Sequence, residues 1–375
     1  MLIHAARLLD GRGRVLTDAT VEVRGSAITG VDGRPGPYAH DLGDATLLPG
    51  LIDVHVHLDW HFGPNGHFGD PGSASSRDEA IAANARATLL AGFTTIQSVG
   101  WDGDLALRAR IDAGAMPGPR LLTSLQPILP HPGQAGGALR AEVRRRADAG
   151  ADLIKIFASG SVRDGGRMNV TAAQLEATCD EARAIGLRTV VHAHDPASII
   201  ASVRAGCTAI EHGLFADAAA IEAMRQARVY FDPNIGLVLQ NYLERRDQYL
   251  GAGNFTAEGF AAMARALPGL APMFRAALAA GLRMPLGTDA VAGAHGQNAR
   301  EIVARVAAGQ APMAAIAGAT SLAADSIGRG ASLGTIAAGY EADVIGVGGD
   351  PLKDIGAVTN VKFVMKGGQV YRRDQ

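Results

Sequence analysis

Between residues 51 and 308, short apolar runs alternate with longer amphipathic or Ala-rich ones, and this alternation restricts the chain to very few folds. Strand patterns cover 51–57, 94–99, 120–124, 153–158, 189–194, 209–212, 229–233 and 284–289. Helical patterns follow at 78–91, 105–113, 141–149, 171–185, 196–205, 218–227, 258–280 and 298–308. Gly92, Gly114, Gly150, Gly186, Gly206 and Gly281 stand where helices should stop, because glycine accepts the left-handed backbone beyond a last turn. Eight strands, each with its helix, describe a (β/α)8 TIM-like barrel rather than an open doubly wound sheet. The longest poorly patterned connection, 234–256, follows the seventh strand and carries Tyr242, Tyr249 and Phe255. Its length suits a lid or specificity loop.

The two ends of the chain read differently. Residues 1–48 hold short apolar runs split by Asp10-Gly11 and Asp32-Gly33, and the tail repeats that character at 343–347, 361–366 and 369–371 around a Gly367-Gly368 turn. Neither end is long enough to fold alone. They are expected to pair into a small β-sandwich domain, 1–48 with 331–375, around a barrel of 49–330.

The 375 residues carry 35 Lys+Arg against 37 Asp+Glu, a net charge of −2, which leaves no basic footprint for nucleic acid. Arg140, Arg144, Arg145 and Arg146 cluster within a helical pattern and read as a solvated face. Cys179 and Cys207 are too few and too far apart for a disulfide framework, and their apolar surroundings suggest buried thiols. No run reaches transmembrane length and the first residues show no export signal, so a cytoplasmic protein without a membrane partner is expected.

In such a barrel catalysis sits where the strand ends converge. Read with period two, Asp53, His55 and His57 leave one face of the first strand and Val54 and Val56 the other. Two imidazoles on one face could grip one metal ion, although a His-x-His pair alone is more often structural or incidental. The fourth strand adds Lys155, the fifth His192 and His194, the sixth His212 and the eighth Asp289. Singly, each has a plain reading: a hydrogen-bonded rim histidine, a lysine snorkelling to a carboxylate, an aspartate capping a helix. Together at one rim they point to a metal centre. His295, Asn234 and His131 stand in loops on the same side and are further candidates for touching a substrate, whereas His61 and His67 read as loop structure.

These motifs resemble the metal-dependent amidohydrolase superfamily, in its imidazolonepropionase-like/prolidase-like branch, which includes Xaa-Pro and Xaa-Arg dipeptidases and an ochratoxin amidase. The resemblance runs from Leu48-Pro-Gly-Leu-Ile-Asp-Val-His-Val-His57 through Gly150-Ala-Asp-Leu-Ile-Lys-Ile-Phe-Ala-Ser-Gly160, Val191-His-Ala-His194 and Ala209-Ile-Glu-His-Gly213. It continues through Gly287-Thr-Asp-Ala290, His295-Gly-Gln-Asn298, Ala319-Thr-Ser-Leu-Ala-Ala324 and Gly339-Tyr-Glu-Ala-Asp-Val-Ile345.

The resemblance implies two divalent ions, with zinc the expected metal. His55, His57 and Asp289 would hold one, His192 and His212 the other, and Lys155 would bridge them as a carbamate formed with CO2. An ammonium would repel two dications; a carbamate is an anionic ligand long enough to reach both. A water shared by the metals would have its pKa drawn down to roughly 7, and Asp289 would take its proton and pass it to the departing amine. His194, one step further up its strand, would face the substrate.

The implied activity is cleavage of an amide bond in a small molecule such as an N-acyl amino acid or dipeptide, by a protein that assembles with copies of itself. Lactones, carbamates and cyclic amides or imines are the alternative substrates. A non-catalytic metal-binding barrel is disfavoured, because every ligand position is filled. Three departures from the branch pattern, Gln97 for an arginine, Asp195 for a glycine and an atypical segment 124–137, are expected to alter the substrate side.

Overall fold

In the computed structural model, which describes residues 1–33, 35–70 and 72–374, the strands fall into two groups. The terminal group opens with β1 (Leu2–Leu9), β2 (Val15–Arg24), β3 (Ala27–Asp32), β4 (His40–Asp41) and β5 (Thr46–Pro49). The barrel follows with β6 (Leu51–Val56), β7 (Phe93–Ser98), β8 (Arg120–Thr123), β9 (Leu153–Phe157), β10 (Arg188–Ala193), β11 (Ala209–His212) and β12 (Tyr230–Asp232). The chain then returns to the terminal sheet as β13 (Val344–Val347), β14 (Val361–Lys366) and β15 (Gln369–Arg373).

Both ends do build one small β domain. Its eight-stranded mixed sheet has the order β15-β14-β13-β5-β1-β2-β3, with β4 also paired to β1. β5 joins the halves, running parallel to β1 and antiparallel to β13 with Leu48 opposite Ile345. Ile3, Val21 and Ile28 from the first strands bury against Val344, Phe363 and Met365 from the last. Gly50 alone separates β5 from β6, and a Cβ there would lie 2.1 Å from Thr94 Oγ1, so no larger residue fits.

The barrel strands run parallel, β6-β7-β8 on one side and β12-β11-β10-β9 on the other. The eighth expected strand, 284–289, is no regular strand, yet it closes the ring. Phe231 N–H donates to Arg283 O at 2.9 Å, Val54 N–H to Leu286 O at 2.9 Å, and Asp289 N–H to His55 O at 2.8 Å. Pro285 has no amide to donate, and Asp289 takes a left-handed φ of 52°, so an even ladder cannot form. Asp53 makes up the difference by accepting from Thr288 N (3.0 Å), Thr288 Oγ1 (2.6 Å) and Asn298 Nδ2 (2.7 Å).

Helices α1 (Ala74–Leu90), α2 (Asp104–Asp112), α3 (Gly136–Asp148), α4 (Ala172–Ala184), α5 (Pro196–Arg204) and α6 (Ala218–Ala227) stand within a few residues of their patterns. The connection 234–256 contains α7 (Val238–Glu244) and α8 (Arg246–Tyr249) instead of lacking structure. The single helix expected at 258–280 is two, α9 (Ala257–Ala266) and α10 (Leu270–Ala279), split by a 3-10 turn at Leu267–Gly269. Pro268 explains the break, since it removes an amide from the helical ladder. After α11 (Arg300–Ala307), the short helices α12 (Pro312–Gly318) and α13 (Ser321–Ser326) lead back to the small domain. No helix among the described residues is long and apolar enough to cross a membrane.

The expected buried thiols are instead a disulfide between Cys179 in α4 and Cys207 just before β11, with Cα atoms 5.2 Å apart. Their separation of 28 positions is one helix–strand–helix excursion that brings the chain back beside its start, so distance in sequence misleads. Disulfides are uncommon in a reducing cytoplasm, so this pairing bears on the expected location.

Two predictions follow from buried carboxylates. Asp53→Ala leaves the Thr288 and Asn298 donors unpaired and should cost about 1–3 kcal/mol in urea denaturation. Asp104 opens α2 in the barrel wall, and burial pushes its carboxyl up to about 7 against the 2.7 Å hydrogen bond from Thr123 Oγ1. A carboxyl raised in the folded state stabilises fully below its unfolded value, near 4, and that contribution fades as pH rises to about 7. Stability measured from pH 4 to 7 should therefore fall less steeply in Asp104→Asn than in the wild type.

Candidate metal centre

His55 and His57 project from β6 toward a single oxygen. His55 Nε2 lies 3.5 Å and His57 Nε2 3.2 Å from Asp289 Oδ1. On its other side, His55 Nδ1 faces Glu211 Oε1 at 3.3 Å and Asp232 Oδ2 at 3.5 Å. Neither contact is a hydrogen bond, but two carboxylates stand behind the ring while its Nε2 faces Asp289. Gly100 makes room for the neighbouring ring, since a Cβ there would stand 3.0 Å from His57 Nδ1.

β10 and β11 supply a second group. The ring centroids of His192 and His194 are 4.6 Å apart, those of His192 and His212 4.6 Å, and those of His194 and His212 5.0 Å. His212 also stands 5.2 Å from His55, which joins the two groups. His192 stacks on Phe157 at 4.4 Å and directs Nε2 to the Gly160 carbonyl at 3.3 Å. That oxygen can only accept, so Nε2 carries the proton and Nδ1 keeps its lone pair. Beneath both groups the Lys155 amine contacts the Glu211 carboxylate.

The backbone is bent where these side chains leave it. His212, Asn234 and Asp289 take left-handed φ angles of 69°, 48° and 52°, each at the upper end of a barrel segment. Non-glycine residues hold such angles at a cost of about 1–3 kcal/mol, and functional sites are where that strain collects. Asp232 anchors one of these bends. It accepts from Asn234 Nδ2 (2.8 Å), Gly287 N (2.8 Å) and Arg305 Nη2 (3.2 Å). Glu301, itself bonded to Arg305 Nε at 2.9 Å, accepts from Ile235 N at 3.0 Å.

The residues suit divalent cations. Burial pushes His55, His192 and His212 far below the ordinary imidazole range and His194 down to about 3, so all four are neutral at physiological pH. Burial raises Asp289, but His55, His57 and Lys155 together bring it below its usual value, so it is an anion. His55, His212 and Asp289 offer ligand atoms that all lie within 4.8 Å of one another. His57 Nδ1, His194 Nδ1 and Asn234 Oδ1 are buried and meet no hydrogen-bond partner. Neutral imidazoles gathered around a carboxylate, with polar atoms left over, form the environment that a cation relieves.

Of the residues expected from the sequence, His55, His57, Lys155, His192, His194, His212, Asn234 and Asp289 all face one cavity. His131 and His295 are not among those lining it. His131 is solvent-exposed, with Nδ1 3.2 Å from the Pro132 carbonyl, because its loop turns outward before α3. His295 lies outside the cavity wall, and burial pushes it down to about 4.

The three departures also miss the cavity. Asp195 caps α5 by accepting from Ser198 N, and Gln97 sits inside the barrel between Val54 O (2.8 Å) and Arg188 Nη2 (3.1 Å). No residue of 124–137 lines it. The sequence reading passed over Glu211, Asp232 and Arg163. For the first two the signal was present, as carboxylates within otherwise apolar strands.

Several known proteins are similar to this chain along nearly its whole length. Ochratoxinase from Aspergillus niger is 27% identical over 428 aligned positions, spanning 99% of this chain and 86% of that protein. A Xaa-Pro dipeptidase with methionine bound in its active site superposes with a TM-score of 0.88 at 29% identity, covering 99% of both chains. Molinate hydrolase shares the fold, with a TM-score of 0.81 at 19% identity over 99% of this chain and 94% of its own. Residues 46–371 match the amidohydrolase family as a whole. The chain belongs to the amidohydrolase family, hydrolases acting on carbon–nitrogen bonds.

Proposed function

We propose that this protein is a binuclear metal-dependent hydrolase that cleaves the amide bond of a small molecule such as an N-acyl amino acid or a dipeptide. The observation that carries this reading is the convergence of His55 and His57 on one oxygen of Asp289, beside His192, His212 and Lys155 in the same cavity. His55, His57 and Asp289 would hold one ion and His192 and His212 the other, with Lys155 bridging them as a carbamate. When bound, such ions acidify a water molecule and polarise a carbonyl.

The protein's own groups fit the remaining tasks. Burial lowers the Lys155 amine to about 7, against the pull of Asp289 and Asp232, and the neutral amine is the form that adds to CO2. Asp289 is ionised and accepts the proton of the attacking water, then returns it to the departing nitrogen. His194, neutral and lining the cavity, is placed to hydrogen-bond the substrate carbonyl. Trp60, Phe157, Leu214 and Leu239 give the cavity apolar walls. The Xaa-Pro dipeptidase among the similar structures supports an amide as the bond cleaved.

Metal analysis of the purified protein should return about two divalent ions per chain, with activity lost on chelation and restored on reloading. Lys155→Ala should lose metal and activity together; full retention of both would exclude the bridged centre. Asp289→Asn should lower kcat on the order of 10²- to 10⁴-fold. A panel of N-acyl amino acids, dipeptides, lactones and carbamates tests the bond type, and turnover confined to lactones or carbamates would replace the amide reading.

A further inference from the structure

After Lys155 the chain climbs the cavity wall, and Phe157, Ser161 and Arg163 face the same space in turn. Arg163 belongs to a 3-10 turn, Val162–Asp164, whose first amide-bearing end is capped by Ser161 Oγ accepting from Arg163 N. Its guanidinium lies over two aromatic rings, with the central carbon 4.0 Å from the Phe255 centroid and 5.4 Å from that of Tyr242. Nε donates to Asn254 Oδ1 at 2.8 Å, and Asn254 Nδ2 donates in turn to Asp164 Oδ2 at 2.6 Å. The fork is therefore fixed in place by neutral partners on the 234–256 connection.

What it lacks is an anion. Arg108, Arg120 and Arg305 are each paired with an aspartate. Among the described residues, no carboxylate stands within ion-pair distance of Arg163. The nearest acid in sequence, Asp164, is engaged by Asn254. Arg163 and Trp60 are also shared with an outer, more open hollow, so the guanidinium stands at the mouth of the catalytic cavity. Asp70 faces that hollow too, but it accepts from Asn65 N (3.2 Å) and Gly72 N (3.2 Å). The Lys155 amine, also facing the cavity, already touches Glu211.

We propose that Arg163 binds a free carboxylate on the substrate, making the enzyme selective for amides that carry one. A guanidinium is always charged, and its planar fork matches a carboxylate with two parallel hydrogen bonds. Stacking and the Asn254 bond fix it beforehand, so little freedom is lost on binding. One fork, with no second guanidinium lining either hollow, suits a singly charged group better than a phosphate. This assignment rests on the hydrolase reading only for the identity of the bond cleaved.

The test uses N-benzoyl-L-phenylalanine and N-benzoyl-L-phenylalaninamide as a matched pair, with binding to the holoenzyme measured by calorimetry. The wild type should bind the acid on the order of tenfold or more tightly than the amide, and Arg163→Met should bind the two alike. Arg163→Lys, which keeps the charge and loses the fork, should retain part of the preference and serves if the methionine variant fails to fold. With dipeptides, the loss should appear in KM rather than kcat. Equal affinity of the wild type for acid and amide, including none for either, overturns the assignment, as does an acid preference undiminished in folded Arg163→Met. If the acid preference tracks Arg163 but no amide is hydrolysed, the hydrolase reading fails and the carboxylate site stands. If amides are hydrolysed with no acid preference, the reverse holds.

Discussion

The Asp53 carboxylate closes the ring. Seven barrel strands pair by backbone hydrogen bonds, but the eighth segment contains Pro285 and a left-handed Asp289 and offers only a broken edge. Asp53 takes both the amide and the hydroxyl of Thr288 and the amide group of Asn298, fixing that edge from within. The residue it secures is the immediate neighbour of Asp289, and the strand it stands on carries His55 and His57. One buried acceptor thus sets the spacing between the two sides of the metal centre, and a shift of either would separate ligands that now meet at one oxygen.

Much of this was legible in the sequence, for identifiable physical reasons. Alternating patterns survive because a barrel strand must be apolar on both faces and a covering helix on only one, and the glycine stops follow from helix geometry. The histidines, lysine and aspartate stood out because polar groups are rare in such strands. What escaped notice depends on contacts that no local pattern encodes. Glu301 and Arg305 are charged residues four apart with nothing local to mark them, yet both are fully buried against Asp232 and the 234–236 backbone. Arg163 lies in a Ser-Gly-Ser-Val-Arg-Asp-Gly-Gly stretch that looks like plain loop. Cys179 and Cys207 come together only once the helix–strand–helix excursion has closed.

Charge is distributed so that each member of the site keeps its useful form. Burial alone would neutralise every titratable group in the cavity. Asp289 escapes because His55, His57 and Lys155 surround it, whereas the imidazoles do not. Beneath them, Glu211 and Asp232 hold the His55 ring from behind, and Arg305 with Glu301 holds Asp232. The chain of contacts runs from an outer helix to the centre of the barrel without a solvent-exposed link, so substitutions on α11 reach the chemistry although they touch no ligand.

The single residue between β5 and β6 has a consequence for the small domain. With Pro49 paired into one sheet and Leu51 into the other, Gly50 is a hinge pin with no slack rather than a linker. β13 grips β5 from the far side, so the C-terminal segment is mechanically coupled to the strand bearing His55 and His57. Rocking of the terminal sheet would therefore act as a torque on the first pair of ligands. The last thirty-odd residues of this chain are better regarded as part of the frame of the metal centre than as an appended module.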